Sequence, residues 1–107
     1  MQPKPIDAFI QATHTENINA LLDCFTERAV IADEGREFRG PEQIKGWSDT
    51  HYIGARVRLD ILDVRQTGHE VVLNCKVDGN FPGGPFQFTF YFTLMDDKIA
   101  SLAIKEN

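Results

Sequence analysis

The chain has 107 residues, a net charge of -5 and a pI near 5.0. An acidic balance without any basic run argues against a nucleic-acid surface, and no stretch approaches the roughly 20 apolar residues that span a bilayer. The composition, 42 % hydrophobic and 25 % charged, suits one globular domain over residues 1–107 with one core.

Met1-Gln2-Pro3-Lys4-Pro5 is followed by no apolar segment of the signal-peptide kind, so a cytoplasmic protein is expected. Pro3 and Pro5 precede a first helix, about residues 4 to 13, in which Ile6, Phe9 and Ile10 share one face. Thr13 with Glu16 fits a capping box for a second helix, with Thr15 as the alternative cap. Ile18, Leu21, Leu22 and Phe25 then give an i, i+3, i+4, i+7 stripe, closed by Glu27 and Arg28. Val30-Ile31-Ala32 reads as a short buried strand.

That strand runs into Asp33-Glu34-Gly35, two adjacent carboxylates and a glycine turn. Glu37-Phe38-Arg39 is a brief strand fragment, and Pro41 is placed to open a third helix. On that helix Ile44, Trp47 and His51 fall at i, i+3 and i+7, a face expected to look inward. Gly54 ends the helical region.

From Arg56 the pattern becomes period two: Val57, Leu59 and Ile61, then a slip to Leu62 and Val64, which a β-bulge would explain. Thr67-Gly68-His69 is a hairpin turn, and Val71, Leu73, Cys75 and Val77 alternate on the return strand. The turn-rich Asp78–Pro85 follows. The next strand places Phe86, Phe88, Phe90, Phe92 and Leu94 on one face and Gln87, Thr89, Tyr91, Thr93 and Met95 on the other. Asp96-Asp97-Lys98 turns it into a final strand, Ile99 to Ile104. Helices first and strands afterwards indicate an α+β fold with a curved, largely antiparallel sheet.

Several chemistries find no support. Cys24 and Cys75 sit in apolar patterns without a CxxC motif, so they are expected as buried thiols rather than disulfide partners or ligands. His14 and His69 are far from any metal-ligand spacing, and no metal site or cofactor is expected. No Ser-His-Asp set, Cys-His pair or phosphate loop is visible. The remaining candidates are Asp33 and Glu34, at the end of a buried strand where a carboxylate can act as acid or base. The plain alternative is a turn-forming Asp, or a carboxylate paired with Arg36 or Arg39. Alternation sends the two to opposite sides, so one of them faces inward.

Three segments carry a family resemblance: Asn17–Phe25 with Ala29–Asp33, Phe38-Arg39-Gly40-Pro41-Glu42-Gln43-Ile44 with Trp47, and Phe90–Ile99. Together with the linking strands they cover nearly the whole chain. They resemble the nuclear transport factor 2-like superfamily, and within it the SnoaL-like and ketosteroid-isomerase-like domains. The resemblance implies a cone: a strongly curved sheet wrapped around three helices, with an apolar pocket and a homodimer through the outer sheet face. It also implies a carboxylate base at Asp33 or Glu34. The isomerases' first-helix tyrosine falls on Phe9, which cannot donate a hydrogen bond, and their second donor falls near Tyr91. Trp47, Phe9, Phe25 and Tyr91 are the expected pocket residues, with His51 or Tyr91 as acid or oxyanion donor. Two functions stay open: a proton-transfer enzyme (isomerase, cyclase or dehydratase type) on a small apolar molecule, or a non-catalytic ligand-binding or dimerisation module.

Overall fold

The computed structural model describes residues 3–107. Helix α1 (Lys4–His14) has Asp7 in its first turn and buries Ile6, Phe9, Ala12 and Thr13 along one face. Helix α2 (Ile18–Asp23) is capped by Asn17, whose side-chain oxygen accepts the Ala20 N–H at 3.0 Å. This corrects the expectation of a threonine cap. The Thr13 hydroxyl donates back to the Phe9 carbonyl and the Thr15 hydroxyl to the Gln11 carbonyl, both at 2.8 Å, so neither is free to cap.

Helix α2 is also shorter than its apolar stripe. Phe25 opens strand β1 (Phe25–Asp33), and Glu27 and Arg28, expected to close the helix, are exposed strand residues. Phe25 pairs with Ile99, and tertiary pairing outweighs helical periodicity at that point. Strand β2 (Arg36–Arg39) leads into helix α3 (Gly40–His51), where Gln43 reaches back to accept the Arg39 N–H at 2.8 Å. A 3₁₀ turn (Ile53–Ala55) follows. At Gly54 an added Cβ would overlap the Asp49 carbonyl, so only glycine lets the chain fold back against the end of α3.

The remaining chain is β3 (Arg58–Thr67), β4 (Glu70–Asp78), β5 (Phe86–Met95) and β6 (Lys98–Glu106). The six strands form one mixed sheet in the order β2-β1-β6-β5-β4-β3, antiparallel except for β1 beside β6. Leu62 is the extra residue of a bulge: Ile61 faces Cys75 and Asp63 faces Asn74. Bulges bend strands, and the curved sheet closes around α1 and α3. The fold is therefore α+β, a cone with its helices inside the curve. Its core runs through Ile6, Phe9, Leu21, Ile31, Ile44, Trp47, Leu73, Phe90, Phe92, Ile99 and Leu102. Among the described residues no helix is long and apolar enough to cross a membrane.

Both cysteines are free and buried. Burial, with the charge of Asp23 beside it, pushes the Cys24 thiol up to about 11. Burial, with Asp60 nearby, pushes Cys75 up to about 12. Both thiols therefore stay protonated at neutral pH and serve as small apolar fillers.

Candidate functional site

Along β1, Ala29 and Ile31 are fully buried and Asp33 continues the same face, so strand alternation aims Asp33 inward. Its neighbours hold it there. Asp33 is in register with Ile104 of β6 on one side and with Arg36 of β2 on the other. The Trp47 indole N–H, on α3, donates to Asp33 Oδ2 at 2.9 Å. A hydrogen bond to a charged acceptor stabilises by about 1.5–3 kcal/mol, and it fixes the rotation of the carboxylate. Among the described residues no other donor is bonded to this carboxylate, which leaves Oδ1 for a ligand.

Trp47 is itself fixed by stacking. Its ring lies 4.6 Å from that of Tyr52 with 17° between the planes, and Tyr52 stacks on Phe9 at 5.6 Å and 30°. The Tyr52 hydroxyl is 2.8 Å from Thr13 Oγ1. Thr13 spends its own proton on the Phe9 carbonyl, so Tyr52 is the donor of this pair. Burial pushes the phenol well above its ordinary range, and it remains a neutral hydroxyl committed to Thr13.

In front of this stack lies a cavity of about 320 Å³. Trp47, Tyr52, Val57, Val77, Phe90 and Ile104 form its buried wall, with Phe88 half-buried among them. Its more exposed lining comes from Asp33, Glu34, His51, Phe81, Pro82, Phe86 and Glu106. The loop carrying Phe81 and Pro82 is tied to the helical layer by the Asn80 N–H, which donates to the Ala55 carbonyl at 2.7 Å.

The structure brings Asp33, Glu34, Trp47 and His51 together and separates Phe9, Phe25 and Tyr91 from them. Asp33 and Glu34 both line the cavity, against the expectation that only one could. Glu34 has left the strand: with φ +51° at Glu34 and +80° at Gly35, these are the central residues of a tight two-residue hairpin turn, where alternation no longer applies. The paired-carboxylate alternative also fails for these two. Arg39 pairs with Glu37 at 2.7 Å, and Arg36 Nη1 lies 3.4 Å from His51 Nε2.

His51, expected on the inward face of α3, is exposed at the rim, because the chain turns after it and Tyr52 takes the inward place. A guanidinium facing Nε2 makes that nitrogen the acceptor, which puts the ring proton on Nδ1. Phe9 is wholly buried behind Tyr52, edge-on to Phe25 at 6.1 Å and to Phe92 at 5.2 Å, and is core rather than pocket. Phe25 borders a different hollow, beside Pro41 and Lys98. Tyr91 is on the outer face of β5, 40 % exposed, with Lys105 Nζ 5.7 Å from its ring centroid.

Among the lining residues that were not anticipated, Tyr52 and Glu106 are the two with polar groups. Tyr52 follows the last periodic position of α3, at a backbone conformation (φ -124°, ψ -92°) that no helical pattern encodes. Glu106 was readable, since it continues the alternation of Leu102 and Ile104 two residues beyond the expected end of the last strand.

The family model of the SnoaL-like domain matches residues 6–102. A solved structure of a candidate polyketide cyclase from Sinorhizobium meliloti is 30 % identical, with a TM-score of 0.91 over 97 % of this chain and 95 % of that one. A protein with a ketosteroid isomerase-like fold from Catenulispora acidiphila, solved in complex with trimethylamine, is 23 % identical, with a TM-score of 0.82 over 98 % and 86 %. The epoxide hydrolase/cyclase-like enzyme SalBIII, of pyran ring formation in salinomycin, is 17 % identical, with a TM-score of 0.85 over 96 % and 88 %. The last two likenesses are of fold. No curated protein matches the chain.

Proposed function

Since the chain belongs to the SnoaL-like domain family, we propose that it is a proton-transfer enzyme of the isomerase, cyclase or dehydratase type, acting on a small, largely apolar molecule. One observation carries this reading: of the three carboxylates that line the cavity, Asp33 is the one fixed by an indole N–H, beside a buried wall of aromatic and aliphatic side chains. With Oδ2 held by Trp47, Oδ1 is the atom that takes a proton from carbon or hydroxyl and returns it. The Trp47 hydrogen bond steadies the carboxylate that accepts the proton and that is regenerated when the proton is returned. His51 Nδ1–H at the rim is the available donor to a developing negative charge.

The test uses 5-nitrobenzisoxazole, a flat apolar probe. Removal of its C3 proton by a base breaks the N–O bond and releases a coloured cyanophenolate. The wild type should show saturable elimination, and Asp33→Asn should lower kcat/KM by about 100-fold or more, within the usual range for a general base. Equal rates for the two proteins, at equal melting temperature, would remove Asp33 as the base.

A non-catalytic binding module is the second reading, and one observation favours it. The phenol nearest the cavity, Tyr52, is bonded to Thr13 instead of being free to polarise a ligand. Saturable binding of the probe without turnover is the result this reading expects.

We further propose a homodimer through the outer sheet face. There Val72, Tyr91 and Ala103 stand in one row across β4, β5 and β6, and Tyr91 is a large exposed ring. Light scattering should give twice the chain mass for the wild type and the chain mass for Tyr91→Glu. A wild type that is monomeric at tens of micromolar would end the proposal.

A further inference from the structure

Resting on the cavity just described, we infer that its ligand carries a positive charge: a small, mostly apolar amine or quaternary ammonium. Two independent features of the lining meet here. The first is charge. Asp33, Glu34 and Glu106 all line the cavity, and no Lys or Arg does. They come from three segments, the end of β1, the left-handed position of the hairpin turn and the end of β6. Their convergence is therefore a product of the fold rather than of one acidic run.

Among the described residues no ion pair answers these charges. Ion pairs among the described residues join Arg39 to Glu37, Lys45 to Asp49, Arg58 to Glu16 and Arg65 to Asp63, and none of them uses a cavity carboxylate. The nearby cations are directed elsewhere: Arg36 to His51, and Lys105 over Tyr91 on the outside of the sheet. Three like charges around one partly desolvated space repel one another and any anion that enters, and a bound cation relieves both.

The second feature is aromatic. Trp47, Tyr52, Phe81, Phe86, Phe88 and Phe90 all contribute to the lining. Aromatic faces carry negative potential and attract ammonium groups, most strongly where water is displaced. A neutral hydrocarbon would gain contact area from these rings and nothing from the carboxylates. A carboxylate ligand would meet repulsion from both. An alkylammonium gains from both at once, with its apolar body against the buried wall and its charge toward Asp33, Glu34 and Glu106.

The experiment compares benzyltrimethylammonium with neopentylbenzene, in which a quaternary carbon replaces the nitrogen at nearly unchanged shape. Trp47 is the sole tryptophan of the chain, so its emission reports on the cavity wall. Titration followed by this emission, with thermal shift as a second readout, should show the cation binding about tenfold more tightly than its isostere at low salt. The Glu34→Gln/Glu106→Gln double variant, which keeps Asp33 and the rings, should narrow that preference by weakening binding of the cation, and an unchanged preference would overturn the inference about charge. If the isostere binds the wild type as tightly as the cation, the inference about charge is overturned and the apolar pocket stands. If neither probe changes the emission or the melting temperature, the pocket reading falls and the inference with it.

Discussion

Along β5, the inward side chains of Phe86, Phe88 and Phe90 border the cavity, whereas Phe92, on the same face, is sealed beneath Phe9. The two halves of one strand, with the same alternation and nearly the same residues, thus line an open end and a filled end. The difference comes from what α1 places against them. Phe9 sits within 6.3 Å of the rings of both Phe90 and Phe92 and occupies the space that would otherwise deepen the cavity. Room for a ligand is accordingly set by the helices inside the curve, while the sheet provides a uniform apolar wall.

Breaking the filled end should have the largest effect. Phe9→Ala should lower stability by about 3–5 kcal/mol, measured by urea denaturation, because it removes a wholly buried ring that touches four others. Phe86→Ala, at the half-buried mouth, should cost about 1 kcal/mol. Equal losses at the two positions would dissolve the distinction between the ends.

The pH dependence follows from groups away from the mouth. Cys24, Cys75 and Tyr52 all have folded-state pKa values above their ordinary ones, so the unfolded chain loses these protons first. Their contribution is complete below about pH 9 and declines as pH rises toward the folded values, by about 1.4 kcal/mol per pH unit for each group in its window. Urea midpoints between about pH 8 and pH 11 should fall, and Cys75→Ala should make the slope shallower.

At the open end, Trp47→Phe keeps the stacked ring and removes the N–H donor to Asp33. Stability should drop by about 1–3 kcal/mol, and kcat/KM for the benzisoxazole probe should fall as the carboxylate loses its orientation. Unchanged kinetics would show that Asp33 needs no positioning. The smallest effect is expected at Gly46, where a Cβ would meet nothing within 4 Å. Gly46→Ala should raise stability by about 0.5–1 kcal/mol through helix propensity alone.

The filled end was more legible in the sequence than the open one. The β4 and β5 alternations, the slip at Ile61-Leu62 and the α1 face read directly, because burial on one side imposes a strict period. Phe25 misled, since it satisfies a helical i+7 position and a strand start equally well, and only its pairing with Ile99 decides between them. At the site, Asp33 and Trp47 stood out as a carboxylate at a strand end and an indole on a helix face. Glu34, Tyr52 and Tyr91 did not resolve, for different reasons. The first two sit where the backbone leaves its regular period, and the inward or outward sense of the third depends on which face of β5 the helices cover.

The Glu34-Gly35 turn has a consequence for how this scaffold can change. Two residues join β1 to β2 in a pairing that sets Asp33 opposite Arg36, and an insertion there would disturb the register that aims the carboxylate. The loop from Gly79 to Pro85 sets no strand register, since it joins β4 to β5 beyond their last pair, Val77 with Phe86. Beyond Asn80, which holds it to the Ala55 carbonyl, it is exposed from Pro82 to Pro85. The candidate carboxylate and the Phe81 part of the cavity lining thus sit beside connections of different tolerance. Recomposing the Phe81 loop would reshape the cavity mouth, while Asp33 stays where the short hairpin holds it.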